Sequence, residues 1–150
     1  MKILVDADSC PRNARELALK AARRLGIRAV FAANRPVPGI GGENADMEIC
    51  PPSENSADDR LAQLAEPGDL AVSRDLALAK RLLEKGCAVI DDRGRVFSPE
   101  NINELLSIRN FTVGLAESGL GAERTAAYGK RESKSFADSL DRQLAKLLKP

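Results

Sequence analysis

Several aspartates in this sequence follow short apolar runs, where side-chain packing alone does not explain them. Asp6 and Asp8 come directly after the run Lys-Ile-Leu-Val at 2–5, and Asp75 comes shortly after Leu-Ala-Val-Ser at 70–73. A buried carboxylate costs free energy unless it is paired or holds a cation. Carboxylate oxygens are ligands that Mg²⁺ and Mn²⁺ prefer. The pattern therefore predicts an acidic site for a hard divalent cation.

Strand and helix signals alternate along the chain and predict where these aspartates lie. The alternation predicts an α/β fold, a three-layer domain with one parallel sheet and helices on both faces. A length of 150 residues is typical of a single domain, which we expect to span 1–150. The predicted strands are 2–5, 28–33, 45–50, 70–73 and 87–90, and the predicted helices are 11–24, 57–65, 76–85, 98–118 and 133–148.

The first and fourth predicted strands are expected to bring their aspartates together. In common doubly wound sheets these strands lie near the reversal of strand order, and ligands bind outside their carboxyl ends. Asp6 and Asp75 would then face one crevice, with Asp8 beside them. Asp69 precedes the fourth strand, so we expect it at the opposite edge as a turn residue.

Helical phase selects Asp58 rather than Asp59 as a further part of this crevice. Asp58 lies three residues before Leu61 and seven before Ala65, which places it on or beside the apolar stripe of the predicted helix. Asp59 points roughly the other way. A carboxylate on the inner face of a first helical turn can project into the crevice.

Each aspartate also has a structural interpretation. Asp75 could cap the helix that starts at residue 76, Asp8 could cap the helix at Pro11, and Asp58 could complement a helix dipole. Asp6 is the hardest to explain in this way, because it follows a buried run directly. Together, the four carboxylates favour a metal site, because like charges at one edge repel each other without a cation.

Polar residues at the same predicted edge are candidates for binding a phosphate. Asn34 and Arg35 follow the second strand, where a simple turn is the alternative. Ser73 and Arg74 flank the acidic site; the Ser73 hydroxyl could orient a metal-bound water, or the segment could be a solvated loop. Arg93 follows the fifth strand in a predicted turn. Further basic residues could contact a nucleic-acid backbone or form solvated faces: Arg109, Arg124, Lys130, Arg131 and Lys134.

Composition narrows the kinds of function that remain. The chain has no histidine, which excludes Ser-His-Asp and Cys-His catalysis and the common His-ligated zinc sites. A hydrolase of this composition would activate water through a metal or a carboxylate. The net charge of +1 argues against a strongly basic nucleic-acid module but leaves room for local patches. Three separated cysteines predict reduced thiols, and we expect a cytoplasmic protein without a membrane partner.

The order of short motifs resembles a known family. Residues 5–11 (Val-Asp-Ala-Asp-Ser-Cys-Pro) are similar to the opening motif of the YaiI/YqxD family of uncharacterised bacterial proteins. The chain departs from that family's pattern at 36–55 and around 121–123. Further matches follow in order at 32–35 (Ala-Ala-Asn-Arg), 57–58, 68–75 (Gly-Asp-Leu-Ala-Val-Ser-Arg-Asp), 78–79, 85–86, 93–94, 101–102, 109–111 and 140–142.

The resemblance implies a PIN-like domain, a fold shared with metal-dependent ribonucleases. It also implies that Asp6, Asp58 and Asp75 are acidic ligands of Mg²⁺ or Mn²⁺, with Asp8 close by. The first functional hypothesis is accordingly a metal-dependent phosphodiesterase that acts on RNA or another nucleic acid.

Two other functions remain open from the sequence. A phosphomonoesterase of the haloacid-dehalogenase type would use Asp6 as nucleophile, Ser73 as a hydroxyl donor, Lys80 or Lys85 as a cation, and a late acidic pair at 91–92. Such enzymes place a turn and hairpin after the first strand, whereas here Pro11 starts a helix almost at once. The third hypothesis is a non-catalytic module that binds nucleic acid or protein.

Overall fold

A computed structural model of the chain describes residues 1–53, 55–117 and 127–149. These residues form strands and helices in alternation, as the sequence predicts. The strands are β1 (Lys2–Asp6), β2 (Arg28–Ala33), β3 (Ala45–Ile49), β4 (Leu70–Val72), β5 (Ala88–Ile90) and β6 (Val96–Phe97). The helices are α1 (Arg12–Leu25), α2 (Ser56–Leu64), α3 (Leu76–Glu84), α4 (Ile102–Glu117) and α5 (Lys130–Leu147).

The strands form one sheet in the order β3-β2-β1-β4-β5-β6, and strands β1 to β5 run parallel. The expected pairing of the first and fourth strands is confirmed, because Val5 lies opposite Val72 in a parallel register. Strand order reverses at this pair, so the carboxyl ends of β1 and β4 flank the crevice where ligands bind in open α/β sheets.

Strand β6 is antiparallel to β5 and was not predicted. After β5 the chain turns back over residues 91–95, where the N–H of Asp91 donates to the carbonyl of Arg95 at 3.0 Å. The sequence predicts that turn. The strand itself is only two residues long, which is too short for an alternating pattern to be recognised.

Apolar side chains cover both faces of the sheet, which confirms the three-layer arrangement. Val5 and Phe31 pack on one face with Phe136 of α5 and the buried alanines of α1. Leu4 packs on the other face with Leu61 of α2 and with α3. Successive residues of β1 point to opposite faces, so a strand buried on both sides must be apolar throughout.

Helix boundaries follow the predictions closely except at α4 and α5. Helix α4 begins at Ile102 instead of residue 98, because Ser98 and Asn101 form a turn. The backbone N–H of Asn101 donates to the Ser98 hydroxyl at 3.2 Å, and the backbone N–H of Ser98 donates to the Asn101 Oδ1 at 2.9 Å. Helix α5 begins three residues before its predicted start. The predicted helix end at Ser118, Arg124, and the family departure at 121–123 lie outside the described residues. No helix in the described ranges is both long and apolar enough to span a membrane.

Candidate functional site

The carboxyl ends of β1 and β4 open into a polar cleft of about 690 Å³. The four predicted aspartates all line it, although they come from different parts of the sequence. The lining residues are Asp6, Asp8, Ser9, Asn34, Asn55, Ala57, Asp58, Arg74, Asp75, Leu76 and Arg109. The convergence follows from the topology, since parallel neighbouring strands end at the same edge of the sheet.

Asp6 is the last residue of β1 and is only 5% exposed. Its Oδ2 accepts hydrogen bonds from the hydroxyls of Ser73 and Ser9, each at 3.0 Å. Burial raises the pKa of Asp6, and these two hydrogen bonds oppose the rise. The carboxyl group is therefore held in one orientation within a poorly solvated site.

Ser73 connects the two strand-end aspartates. It is 2% exposed, so the prediction of a solvated loop is wrong at this position. Its hydroxyl donates to Asp6 and also accepts the backbone N–H of Asp75 at 3.0 Å. Ser73 itself does not line the cleft, and its contacts set the spacing between Asp6 and the start of α3.

Asp75 caps α3, as its structural interpretation predicted. Its Oδ1 accepts the backbone N–H groups of Ala77 and Leu78 at 2.9 and 3.1 Å. The same carboxyl group is hydrogen-bonded to Asp58 in the cleft. Capping and a place in the acidic cluster are therefore compatible for this residue.

Asp58 lies in the first turn of α2 and faces the other carboxylates. Burial is the largest cause that raises its pKa to about 7, followed by the charges of Asp6 and Asp75. The hydrogen bond with Asp75 acts in the same direction. Asp58 therefore holds a proton at pH values where an ordinary aspartate has lost it.

Asp59, next in sequence, points away from the cleft. It is exposed and forms an ion pair of 2.8 Å with Arg81 of α3. Leu61 is fully buried on the opposite side of α2. The choice of Asp58 over Asp59 from helical phase is confirmed as a statement about geometry.

Asp8 does not cap α1, which has no side-chain cap and begins after Pro11. Its Oδ2 accepts the N–H of Asn34 at 2.9 Å, and the Asn34 Oδ1 accepts the hydroxyl of Ser56 at 2.9 Å. These bonds connect the ends of β1 and β2 to the start of α2. Arg35 is exposed beside Asn34 and does not line the cleft.

Two arginines add positive charge to the cleft. Arg74 lines it and binds the buried Asp92 through its Nη2, 2.5 Å from Oδ2. Arg109 reaches the cleft from α4. Arg93 does not join this group; it lines a separate pocket and lies over the ring of Tyr128, 5.8 Å from the centroid.

Asn55 is a cleft residue that sequence reasoning missed. It precedes α2 with φ of 63°, a left-handed conformation that asparagine tolerates better than most residues. An asparagine just before a predicted helix was the available signal.

Asp69 lies at the opposite edge of the sheet, as expected. It is buried and forms an ion pair of 2.7 Å with Lys2, so its role is not limited to the turn.

The residues that a haloacid-dehalogenase site would need are dispersed. Lys85 donates to the carbonyl of Ala62, and neither Lys80 nor Lys85 lines the cleft. Asp91 accepts backbone N–H groups of its own turn, and Asp92 is paired with Arg74. Of that set, only Asp6 and Ser73 lie together.

The donor set of the cleft is composed of carboxylate oxygens, which suits hard divalent cations. As the side chains stand, no group of three or more acidic or cysteine side chains within 1–53, 55–117 and 127–149 is arranged to hold a metal ion. Asp58 and Asp75 are instead joined by a hydrogen bond, and Asp6 is held by the two serines. Cys10 is buried nearby, and burial raises the pKa of its thiol to about 12.

Comparison with known proteins agrees with the resemblance in the motifs. The sequence model of the uncharacterised YaiI/YqxD family matches residues 4–146 of this chain. A UPF0178 protein of Treponema pallidum is 46% identical over 149 residues, which cover 99% of this chain and 84% of the relative. A UPF0178 protein of Myxococcus xanthus is 41% identical, with 99% and 97% of the two chains covered. The search of solved structures gave no significant match.

Proposed function

We propose that this chain, which belongs to the YaiI/YqxD family of uncharacterised proteins, is a metal-dependent nuclease that hydrolyses phosphodiester bonds in RNA. One observation carries the proposal: Asp6, Asp58 and Asp75 converge on a single open cleft that also contains Arg74 and Arg109. Carboxylates that lie this close together repel each other, and a bound divalent cation would offset that electrostatic repulsion.

The proposed cofactor is Mg²⁺ or Mn²⁺, held by Asp6, Asp58 and Asp75. When bound, such an ion lowers the pKa of a coordinated water and stabilises negative charge on the phosphoryl and leaving oxygens. Binding requires Asp58 and Asp75 to give up the hydrogen bond between them. The absence of histidine is consistent with chemistry that needs no imidazole base.

The remaining cleft residues have roles that follow from their contacts. Ser73 holds the Asp6 carboxyl and the backbone of Asp75, so it is a positioning residue. Arg74 and Arg109 provide the cations that would bind the phosphates of the substrate. Asn34, fixed by Asp8 and Ser56, places an amide group at the rim.

The experiment is a cleavage assay with purified protein, labelled single-stranded RNA and Mn²⁺. Asp6→Asn and Asp75→Asn are each expected to lower the cleavage rate by orders of magnitude. Residues that act as one unit lose most of their combined effect when any one of them is replaced. Asp59→Asn is the matched control, since it makes the same chemical change one residue from Asp58 on the outer face of α2. Its rate should remain within about twofold of the wild type.

Other outcomes would replace the proposal. Turnover of a phosphomonoester without RNA cleavage would favour the phosphomonoesterase that uses Asp6 as nucleophile. Binding of RNA without cleavage of either substrate would favour a binding module. Cleavage that persists in Asp6→Asn would indicate a contaminating nuclease.

A further inference from the structure

A second pocket, of about 460 Å³, lies between the turn after β5 and helix α5. It is lined by three arginines, Arg93, Arg95 and Arg142. The turn is pressed against the backbone of α5 at Gly94, where a Cβ atom would lie 2.4 Å from the carbonyl oxygen of Ser135. Gly94 has φ of +88°, so both its conformation and this contact require glycine. The pocket is therefore set by close packing between the turn and the helix.

The acidic residues of this pocket are already engaged by other groups, and Arg93 forms an ion pair of 3.8 Å with Glu132. The Asp91 Oδ1 accepts the backbone N–H groups of Arg93 and Arg95, each at 2.9 Å. Asp138 forms an ion pair of 2.8 Å with Lys134. Arg95 and Arg142 are exposed, and neither guanidinium has an ion-pair or hydrogen-bond partner in the part of the chain that the structure describes. The pocket therefore has an excess of positive charge.

Ser139 supplies an independent indication of a ligand. It lines the pocket and is 3% exposed, and its hydroxyl has no hydrogen-bond partner among the described residues. A buried hydroxyl without a partner costs free energy, so such groups are usually satisfied by protein, water or ligand. Beside this hydroxyl, the guanidinium groups of Arg95 and Arg142 are suited to an anion that accepts hydrogen bonds.

The arginine-lined pocket is connected to the acidic cleft through one ion pair. Arg74 lines the cleft and binds Asp92, and the neighbours of Asp92 in sequence, Asp91 and Arg93, line the pocket. Both sites lie beyond the carboxyl ends of adjacent parallel strands, the cleft at β1 and β4 and the pocket at β5. The Arg74–Asp92 ion pair thus lies between residues that line the two sites.

We infer that the pocket formed by Arg93, Arg95, Arg142 and Ser139 binds a backbone phosphate of single-stranded RNA whose scissile bond lies in the acidic cleft. The identity of the ligand rests on the proposed function, but binding at the pocket requires neither metal nor cleavage. A contact to a backbone phosphate carries no sequence information, so this subsite should be insensitive to base sequence.

The test is fluorescence anisotropy with a labelled single-stranded RNA of about ten nucleotides, in EDTA, over a series of salt concentrations. The double variant Arg95→Gln/Arg142→Gln is expected to weaken binding about tenfold. It should also reduce the slope of log K against log salt by about 0.7, the contribution of the one phosphate contact that is lost on a single strand. Both side chains are exposed, so the fold should be unchanged, which circular dichroism checks.

The matched control is Lys20→Gln/Lys149→Gln, which removes the same charge from two exposed positions outside the pocket, and it should alter the affinity and slope little. An equal loss in this control, an unchanged affinity in the arginine variant, or a wild type that does not bind RNA would overturn the inference. Weakened binding together with a wild type that never cleaves RNA would defeat the proposed function and leave the inference standing. Cleavage of RNA by the wild type, together with an unchanged affinity in the arginine variant, would support the proposed function and defeat the inference.

Discussion

At the scale of single residues, the neighbours of Asp58 decide how it titrates. Its partly buried carboxyl faces Asp6 and is hydrogen-bonded to Asp75, and its pKa is raised to about 7. An aspartate in an unfolded chain has a pKa of about 3.9. The native state therefore holds a proton that the unfolded state releases between these two values.

This difference predicts a pH dependence of stability in the absence of metal. Between about pH 4 and pH 7 the native state binds more protons than the unfolded state, so the free energy of unfolding falls as pH rises. Asp58→Asn removes that term and should be more stable than the wild type at about pH 8, with little difference near pH 4. Because Asp58 is only partly buried, solvent screening reduces the expected gain to about 1 kcal/mol.

Urea unfolding of both proteins in EDTA at several pH values measures this effect. Asp59→Asn serves as the control, because its carboxyl is exposed and paired with Arg81, and it should show no gain at high pH. If the stability of the wild type relative to Asp58→Asn were constant across this pH range, the raised pKa of Asp58 would be contradicted.

The position of a site residue was predictable from the sequence when it depends on local structure and not on tertiary packing. Asp6 and Asp75 follow recognisable strands, and helical phase is enough to orient Asp58. The burial of Ser73 and the separation of Arg93 from the cleft were not predictable, because both depend on contacts between segments distant in sequence. Asp75 shows that a capping role does not exclude a second role.

At the scale of elements, the turn between β5 and β6 positions one wall of the arginine-lined pocket. Gly94 allows this turn to contact the α5 backbone at Ser135. Glycine has access to positive φ without steric cost, and the missing side chain leaves room for the helix. The five parallel strands were predictable from the sequence pattern, but β6 and the start of α4 were not, since each depends on turn geometry.

Gly94→Ala is expected to destabilise the protein more than Gly26→Ala. Both residues have positive φ, which costs alanine about 1 kcal/mol, but a Cβ at Gly26 meets nothing within 4 Å. At Gly94 the added atom overlaps the Ser135 carbonyl, so the loss of unfolding free energy should exceed that at Gly26 by about 1–3 kcal/mol. Chemical denaturation of the two variants gives the comparison, and equal losses would show that the turn is not pressed against α5.

At the scale of the whole molecule, the acidic cleft lies where the strand order of the sheet reverses. Strands β1 and β4 bring Asp6 and Asp75 to this point, and α2 adds Asp58 from one face of the sheet. Alternating strand and helix signals were enough to predict this arrangement. The PIN-like relationship stays a prediction from the motif resemblance, because no solved structure matched the chain.

The most direct measurement of the central claim is anomalous scattering from a crystal soaked in Mn²⁺, collected for the wild type and for Asp6→Asn. We expect a peak in the wild type within coordination distance, about 2.0–2.3 Å, of oxygens of Asp6, Asp58 and Asp75. The Asp58 and Asp75 carboxyl groups should be turned from their mutual hydrogen bond toward the ion, and the peak should be absent in the variant. A wild-type crystal with no peak in the cleft, or with manganese bound only elsewhere, would contradict the account.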